Sequence, residues 1–319
     1  MNGIQRVRAA VYRQHPDRIP RGELVVDIEF IADFMRAFPE DCRKEGHSTG
    51  DQVELKIDFC RRLGLDLVCI PASRFKPGEK DFACYTGRLG EEGIFIFALV
   101  DGAFQTIMSQ LGFMDFCTAA ASDPEGLGRL IQSHSGKMLP VIDLAVQSGA
   151  HGIIIADDIA YNQGCYVSPS FIRKYLLPCW QEQVDRAKKL RVPVFYHSDG
   201  NIGSILPLIV EAGFDGLQCL DPAAGMDIKE VRDGFGQDLC LMGNIDPALL
   251  YGRDSETPGK EVPQPQFPEL SRAAEDLILA FGPEGGLIFG TSCGLYRGLS
   301  PERVLFMYRL ADRSASFPG

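Results

Sequence analysis

Eight short apolar runs, separated by amphipathic stretches, constrain this chain more than any other feature of its sequence. They are GELVV (22–26), DLVCIPA (66–72), GIFIFALVD (93–101), GIIIADD (152–158), VPVFYHSD (192–199), GLQCLD (216–221), LCLMGNID (239–246) and GLIFGTSC (286–293). Their apolar residues are continuous, which suits strands buried on both faces of a parallel sheet covered by helices. The intervening segments carry helix starts. SPSFIRKYLLPCWQEQVDRAKKL and SPERVLFMYRLAD both open with serine then proline, a good N-cap and first-turn pair. DPEGLGRLIQSHSGKMLPVIDLAVQSG reads as one long helix ending at Gly149. Such alternation means βαβ units, and eight of them predict an α/β fold, a single (β/α)8 TIM barrel spanning residues 1–319. An N-terminal helical extension is expected within residues 1–20, where Ile4, Val7 and Val11 recur at helical spacing ahead of Pro16. The proline- and charge-rich stretch YGRDSETPGKEVPQPQFPEL (251–270) reads as a surface excursion. An open doubly wound sheet is the competing architecture, but no G-x-G-x-x-G turn supports it.

Charge and cysteine usage narrow the function classes. A net charge of −11 lacks the basic footprint that a nucleic-acid binder needs. No apolar run approaches the roughly 20 residues that span a bilayer. The N-terminus is arginine-rich but has no apolar segment of the secretory kind. Ten cysteines without a C-x-x-C pair fit reduced, mostly buried thiols, so a cytoplasmic protein is expected.

A barrel of this type holds its active site at the C-terminal ends of the strands. Those ends carry Glu23, Asp101, Asp157 with Asp158, His197 with Asp199, Asp221, Asn244 with Asp246, and Cys293. For any one carboxylate, capping of the following helix is the competing explanation. Capping does not need two adjacent aspartates at 157 and 158. His197 and Asp199 are two apart and point to one side of an extended backbone. Imidazole, carboxylate and a thiolate from Cys293 across the mouth can hold zinc with one position open. The alternative is a histidine bonded to a carbonyl, with Cys293 simply buried. His15, His47, His134 and His151 lack comparable neighbours.

With those motifs in order along almost the whole chain, the sequence resembles the uroporphyrinogen decarboxylase superfamily and, within it, the corrinoid-dependent methyltransferases. The resemblance rests on RVRAAVYRQHPDRIPRGELVVD, GIIIADDIAYNQGCYVSPSFIRKYLLP, PVFYHSDGN, EAGFDGLQCLDPAAGMDIKEV, LMGNID and GTSCGLYRGLSPERV. It implies a (β/α)8 barrel and, in the methyltransferase branch, zinc held by a His-x-Cys pair with a distant cysteine. His197 matches the histidine and Cys293 the distant cysteine, whereas Asp199 stands where the nearer cysteine would be. The decarboxylase branch resembles this fold but carries an arginine-rich substrate loop of the type M-R-Q-A-G-R-Y. IPRGELVVD occupies that place here, without the arginine pair.

The resemblance therefore implies a zinc-dependent methyltransferase moving a methyl group between a small methylated substrate, of methoxy or methylamine type, and a corrinoid. The corrinoid would be carried by a partner, since no D-x-H-x-x-G cobalamin module is present. His197, Asp199 and Cys293 are the expected metal ligands. Glu23, Asp157 and His197 are the expected catalytic groups, with Asp158, Tyr196, Asn244 and Asp246 contacting substrate. Expected partners are a corrinoid-binding protein, the methylated substrate and a second copy in a homodimer, with neither nucleic acid nor membrane among them. The alternatives are a methylcorrinoid:thiol methyltransferase of coenzyme M type, a uroporphyrinogen decarboxylase, and a non-catalytic tetrapyrrole-binding barrel.

Overall fold

Parallel strands pair in chain order around the molecule: β1 (Gly22–Glu23), β2 (Leu67–Pro71), β3 (Phe95–Asp101), β4 (Gly152–Ala156), β5 (Val194–His197), β6 (Gly216–Gln218), β7 (Cys240–Ile245) and β8 (Leu287–Thr291). A parallel bridge between Arg21 and Phe289 brings β8 back to β1, with the Phe289 N–H donating to the Pro20 carbonyl at 2.7 Å. The result is a nearly closed (β/α)8 barrel, as the eight runs predict. This computed structural model describes residues 1–39, 52–75, 80–252, 267–281 and 285–312. Most of the 251–270 excursion lies outside the described residues.

The continuous apolar character of the runs has a direct cause. Leu67, Phe95, Phe97, Ile154, Phe195, Met242 and Ile288 fill the interior. Their neighbours Val68, Ile96, Ile153, Tyr196, Leu217, Leu241 and Phe289 pack outward beneath the helices. Both faces are buried, so alternation disappears from the sequence.

Helix α1 (Gly3–Val11) is capped by a reciprocal pair between Asn2 and Gln5 and inserts Val7, Ala10 and Val11 into the interior cluster. It closes the end of the barrel opposite the mouth and stops at Val11, short of Pro16. Arg6 pairs with Asp17 and Asp66, and Arg18 with Asp66, which accounts for the basic N-terminus. Helices α2 (Ile28–Ala37), α3 (Gln52–Leu63), α4 (Ala103–Leu111), α5 (Leu177–Lys189) and α6 (Pro301–Asp312) cover the outside.

The stretch expected to form one helix to Gly149 forms two, Pro124–Ser135 and Leu139–Gln147. Pro140 lacks the N–H that would continue the ladder, and its ring would clash with the carbonyl of Gly136. Strand β1 is also shorter than its apolar run, because only Gly22 and Glu23 pair with β2. Val26 instead bridges to Leu295 beyond β8.

Candidate metal centre

Strand alternation selects which residues enter the mouth. His197 follows Phe195 onto the inward face of β5 and lies level with Gln218 on β6. Its Nδ1 donates to Gln218 Oε1, while Gln218 Nε2 donates to the Ser292 carbonyl at 2.8 Å. The second bond fixes the amide, and the amide fixes the ring. Nδ1 is the donor in that bond, so Nε2 is the ring nitrogen turned to the mouth. That Nε2 lies 3.5 Å from Asp158 Oδ1 and 3.9 Å from Asp199 Oδ1. Asp158 also accepts the Asp199 backbone N–H at 3.0 Å. Both carboxylates are substantially exposed, whereas the imidazole is buried.

The sequence reading missed Cys219. Gln218 points inward, so an extended strand would turn Cys219 towards the helices. Instead the backbone leaves the strand there, with φ +111° at Cys219 and +56° at Leu220. Two adjacent non-glycine residues in that region are a strained arrangement of the kind found at functional sites. Asn244 clamps it, Nδ2 donating to the Leu220 carbonyl at 3.0 Å. The turn brings Cys219 to Asp199 and Cys293, with one ligand atom from each of the three within 4.8 Å of the others. Asp158, His197 and Asp199 form a second group on the same criterion, so Asp199 joins the two.

The two thiols are not equivalent. The S–H of Cys219 bonds to Cys293, which holds the Cys293 thiol below its usual range despite the opposing effect of burial. The same contact, with burial, pushes Cys219 well up. Cys293 is therefore the more acidic thiol of the pair. Glycine beside it permits this placement: a Cβ on Gly294 (φ +101°) would sit 2.5 Å from the Val25 carbonyl oxygen. Imidazole, carboxylate and two thiols are the donor types that zinc takes.

Several other strand-end residues have structural partners. Asp157 is fully buried and accepts the Gln105 N–H and the Trp180 indole N–H, both at 2.9 Å. It thereby caps α4, whose own N-cap, Gly102, has no side chain to do so. Burial pushes its carboxyl up to about 7. Glu23 is enclosed between β1, β8 and α6, accepting from the Thr291 N–H and hydroxyl and from the Tyr308 hydroxyl. Burial pushes it up to about 7 as well. Neither residue faces the mouth, so the sequence-based catalytic assignment of both is corrected. Tyr196 likewise lies on the outward face, edge-on to Trp180 and Phe214, with its hydroxyl donating to the Asp157 carbonyl. Asp246 accepts the Ala248 N–H at 2.7 Å and caps the turn after β7. Asn244 supports the Cys219 turn. Alternation explains these outcomes: Asp157, Tyr196 and Glu23 fall on the outward register and His197 on the inward one.

With the site assembled, likeness to known proteins gives it a context. The sequence profile of the family described as uroporphyrinogen decarboxylase (URO-D) matches residues 88–314. The chain belongs to the uroporphyrinogen decarboxylase family. Within that family it is similar to the uroporphyrinogen decarboxylase of Shewanella amazonensis, 26% identical over 201 residues, 61% of this chain and 51% of that protein. It is 29% identical to uroporphyrinogen decarboxylase 2, chloroplastic, of Arabidopsis thaliana over 146 residues, 45% of this chain and 35% of that one. The chain thus spans about half or less of the length of these relatives. A solved methyltransferase from Methanosarcina mazei shares the fold, with TM-score 0.70 at 16% identity, covering 98% of this chain and 99% of its own. Among the described residues no helix is long and apolar enough to cross a membrane.

Proposed function

We propose that this member of the uroporphyrinogen decarboxylase family is a zinc-dependent methyltransferase that moves a methyl group between a small methylated substrate and a corrinoid carried by a partner protein. The observation that carries this reading is the convergence of His197, Asp199, Cys219 and Cys293 at the mouth. His197 Nε2 and the Cys293 sulfur would be ligands, because Gln218 orients the imidazole and Cys219 lowers the Cys293 thiol. Asp199 is the exposed member, with its side chain 58% accessible. It stands where an incoming substrate atom would arrive. Zinc bound here supplies a Lewis acid that stabilises negative charge on the atom losing or gaining the methyl group. Asp158 orders the turn by accepting the Asp199 N–H and offers a carboxylate to a polar substrate group.

Porphyrinogen decarboxylation is the less favoured chemistry. It calls for cations that hold several carboxylates, and the arginine of IPRGELVVD does not serve. Arg21 lies at the foot of β1, where it pairs with Asp312 and donates to the Leu63 carbonyl. One observation favours a second reading, transfer from a methylcorrinoid to a thiol acceptor. Cys219 restores in space the second sulfur that Asp199 replaces in sequence, and a thiolate-rich site suits a deprotonated thiol partner. One assay separates the readings. Zinc-loaded protein is incubated with free reduced cobalamin and a methoxylated or methylamine donor, and in parallel with methylcobalamin and a thiol. Methylcobalamin formed in the first arm supports the proposal, demethylation in the second alone supports the thiol reading, and neither reaction refutes both.

A further inference from the structure

The end of the barrel opposite the mouth carries an arginine cluster that the metal-type site does not use. Arg21 at the foot of β1, Arg61 and Arg62 in the last turn of α3, and Arg309 in the last turn of α6 line one cavity of about 290 Å³. Asp312 is the one carboxylate among the described residues that line it. Four cations less one carboxylate leave an excess of three positive charges. The chain as a whole has the opposite balance, with 43 acidic residues against 32 basic ones.

A cation in the last turn of a helix is ordinarily explained by the helix dipole. That explanation serves each arginine singly, but not the meeting of two helix ends and Arg21 around one hollow. Arg61 pairs with Glu92 at 2.5 Å and Arg62 with Asp58 at 3.0 Å, and both carboxylates stand outside the cavity lining. Arg309 is exposed and, among the described residues, makes no hydrogen bond or ion pair. Arg21 is the telling member. Its side chain is 4% accessible, whereas that of its partner Asp312 is 63% accessible and screened by water. Its Nε is buried without a hydrogen-bond partner. Arg18 is lowered by burial and then by the charges of Arg21 and Arg6, although Asp66 opposes them. Positive charge at the foot is thus incompletely offset. Gly64 (φ +63°) keeps the space beside the guanidinium open, since a Cβ there would lie 2.9 Å from Arg21 Nη1.

We propose that this cavity binds a phosphate group, free or on a small ester, between the guanidinium groups of Arg21, Arg61, Arg62 and Arg309. Guanidinium forks match the oxygens of phosphate and hold them by charge-assisted hydrogen bonds. An excess of three positive charges favours a dianion over a single carboxylate. Phe38 and Leu305 give the cavity an apolar side against which the organic part of an ester can pack. The site lies at the foot of the barrel, so the inference stands apart from methyl transfer at the mouth.

The test is calorimetric titration of the zinc-free, full-length protein with inorganic phosphate, phenyl phosphate and acetate, at a pH of about 8 where phosphate is mainly doubly charged. One phosphate per chain should bind, about tenfold or more tighter than acetate, and more weakly as salt is added. Arg309→Gln should weaken phosphate by about tenfold or more, the loss of one charge-assisted hydrogen bond. Arg309 and Arg61 are both exposed, so neither substitution opens the core, and Arg61→Gln should act in the same direction. Tighter binding of phenyl phosphate supports the proposal with an ester as ligand, and equal binding supports it with free phosphate. Absence of phosphate binding, acetate bound as tightly as phosphate, or a phosphate affinity indifferent to both substitutions overturns it. Neither metal nor methyl donor enters the titration, so its failure leaves the methyltransferase reading untouched, and failure of that reading leaves this one untouched.

Discussion

Two pairs of carboxylates at the strand ends look alike in sequence and behave oppositely in the molecule. Asp158 and Asp199 are exposed at the mouth, close to an imidazole and two thiols. Asp157 and Glu23 are sealed in the wall, each saturated with hydrogen bonds from neighbouring elements. Asp157 and Asp158 are adjacent, yet one holds α4 and the other faces the site. Being at a strand end does not make a carboxylate catalytic. The face of the strand it occupies decides.

If that division is right, substitutions should separate stability from metal binding. The largest effect is expected from Asp157→Ala, which leaves the Trp180 and Gln105 N–H groups buried and unpaired. A loss of about 2–6 kcal/mol in urea unfolding is predicted, with zinc stoichiometry unchanged in the protein that remains folded. A variant of full stability that had lost its metal would reverse the assignment.

Glu23 provides the next test, through pH. Its folded value of about 7 lies above the ordinary carboxylate value near 4.5. Between those values the unfolded chain has released a proton that the folded chain retains, so the folded state is progressively disfavoured. Its contribution is complete below the lower value and lost as pH rises through the upper one, about 3 kcal/mol in all. Urea midpoints should fall between pH 5 and pH 8 in wild type and fall less in Glu23→Gln. An equal slope in the two proteins would show that burial does not raise Glu23 in the folded state.

Smaller still is the predicted effect of Gln218→Leu. It removes the partner that orients His197 without removing a ligand, and the zinc affinity of the folded protein should drop about 10–100-fold. Unaltered affinity would mean that the ring needs no such support.

The sequence announced the barrel clearly because its physical cause, strands buried on both faces, is written in consecutive apolar residues such as Ile153, Ile154 and Ile155. It also singled out His197, Asp199 and Cys293, which the fold brings to one mouth. It could not separate Asp157 from Asp158, because continuous burial erases the alternation that reveals facing. Tyr196 was misassigned for the same reason. Cys219 was hidden differently: strand periodicity sends it outward, and only the positive φ at Cys219 and Leu220 returns it.

Zinc titration against a chromophoric chelator tests the central claim most directly. Wild type is predicted to take up one tightly held zinc per chain. His197→Ala and Cys219→Ala should each lose more than the 10–100-fold typical of a supporting residue, with circular dichroism unchanged. Absence of tight zinc binding by the wild-type protein, or variants that bind it as well as wild type, would contradict the account.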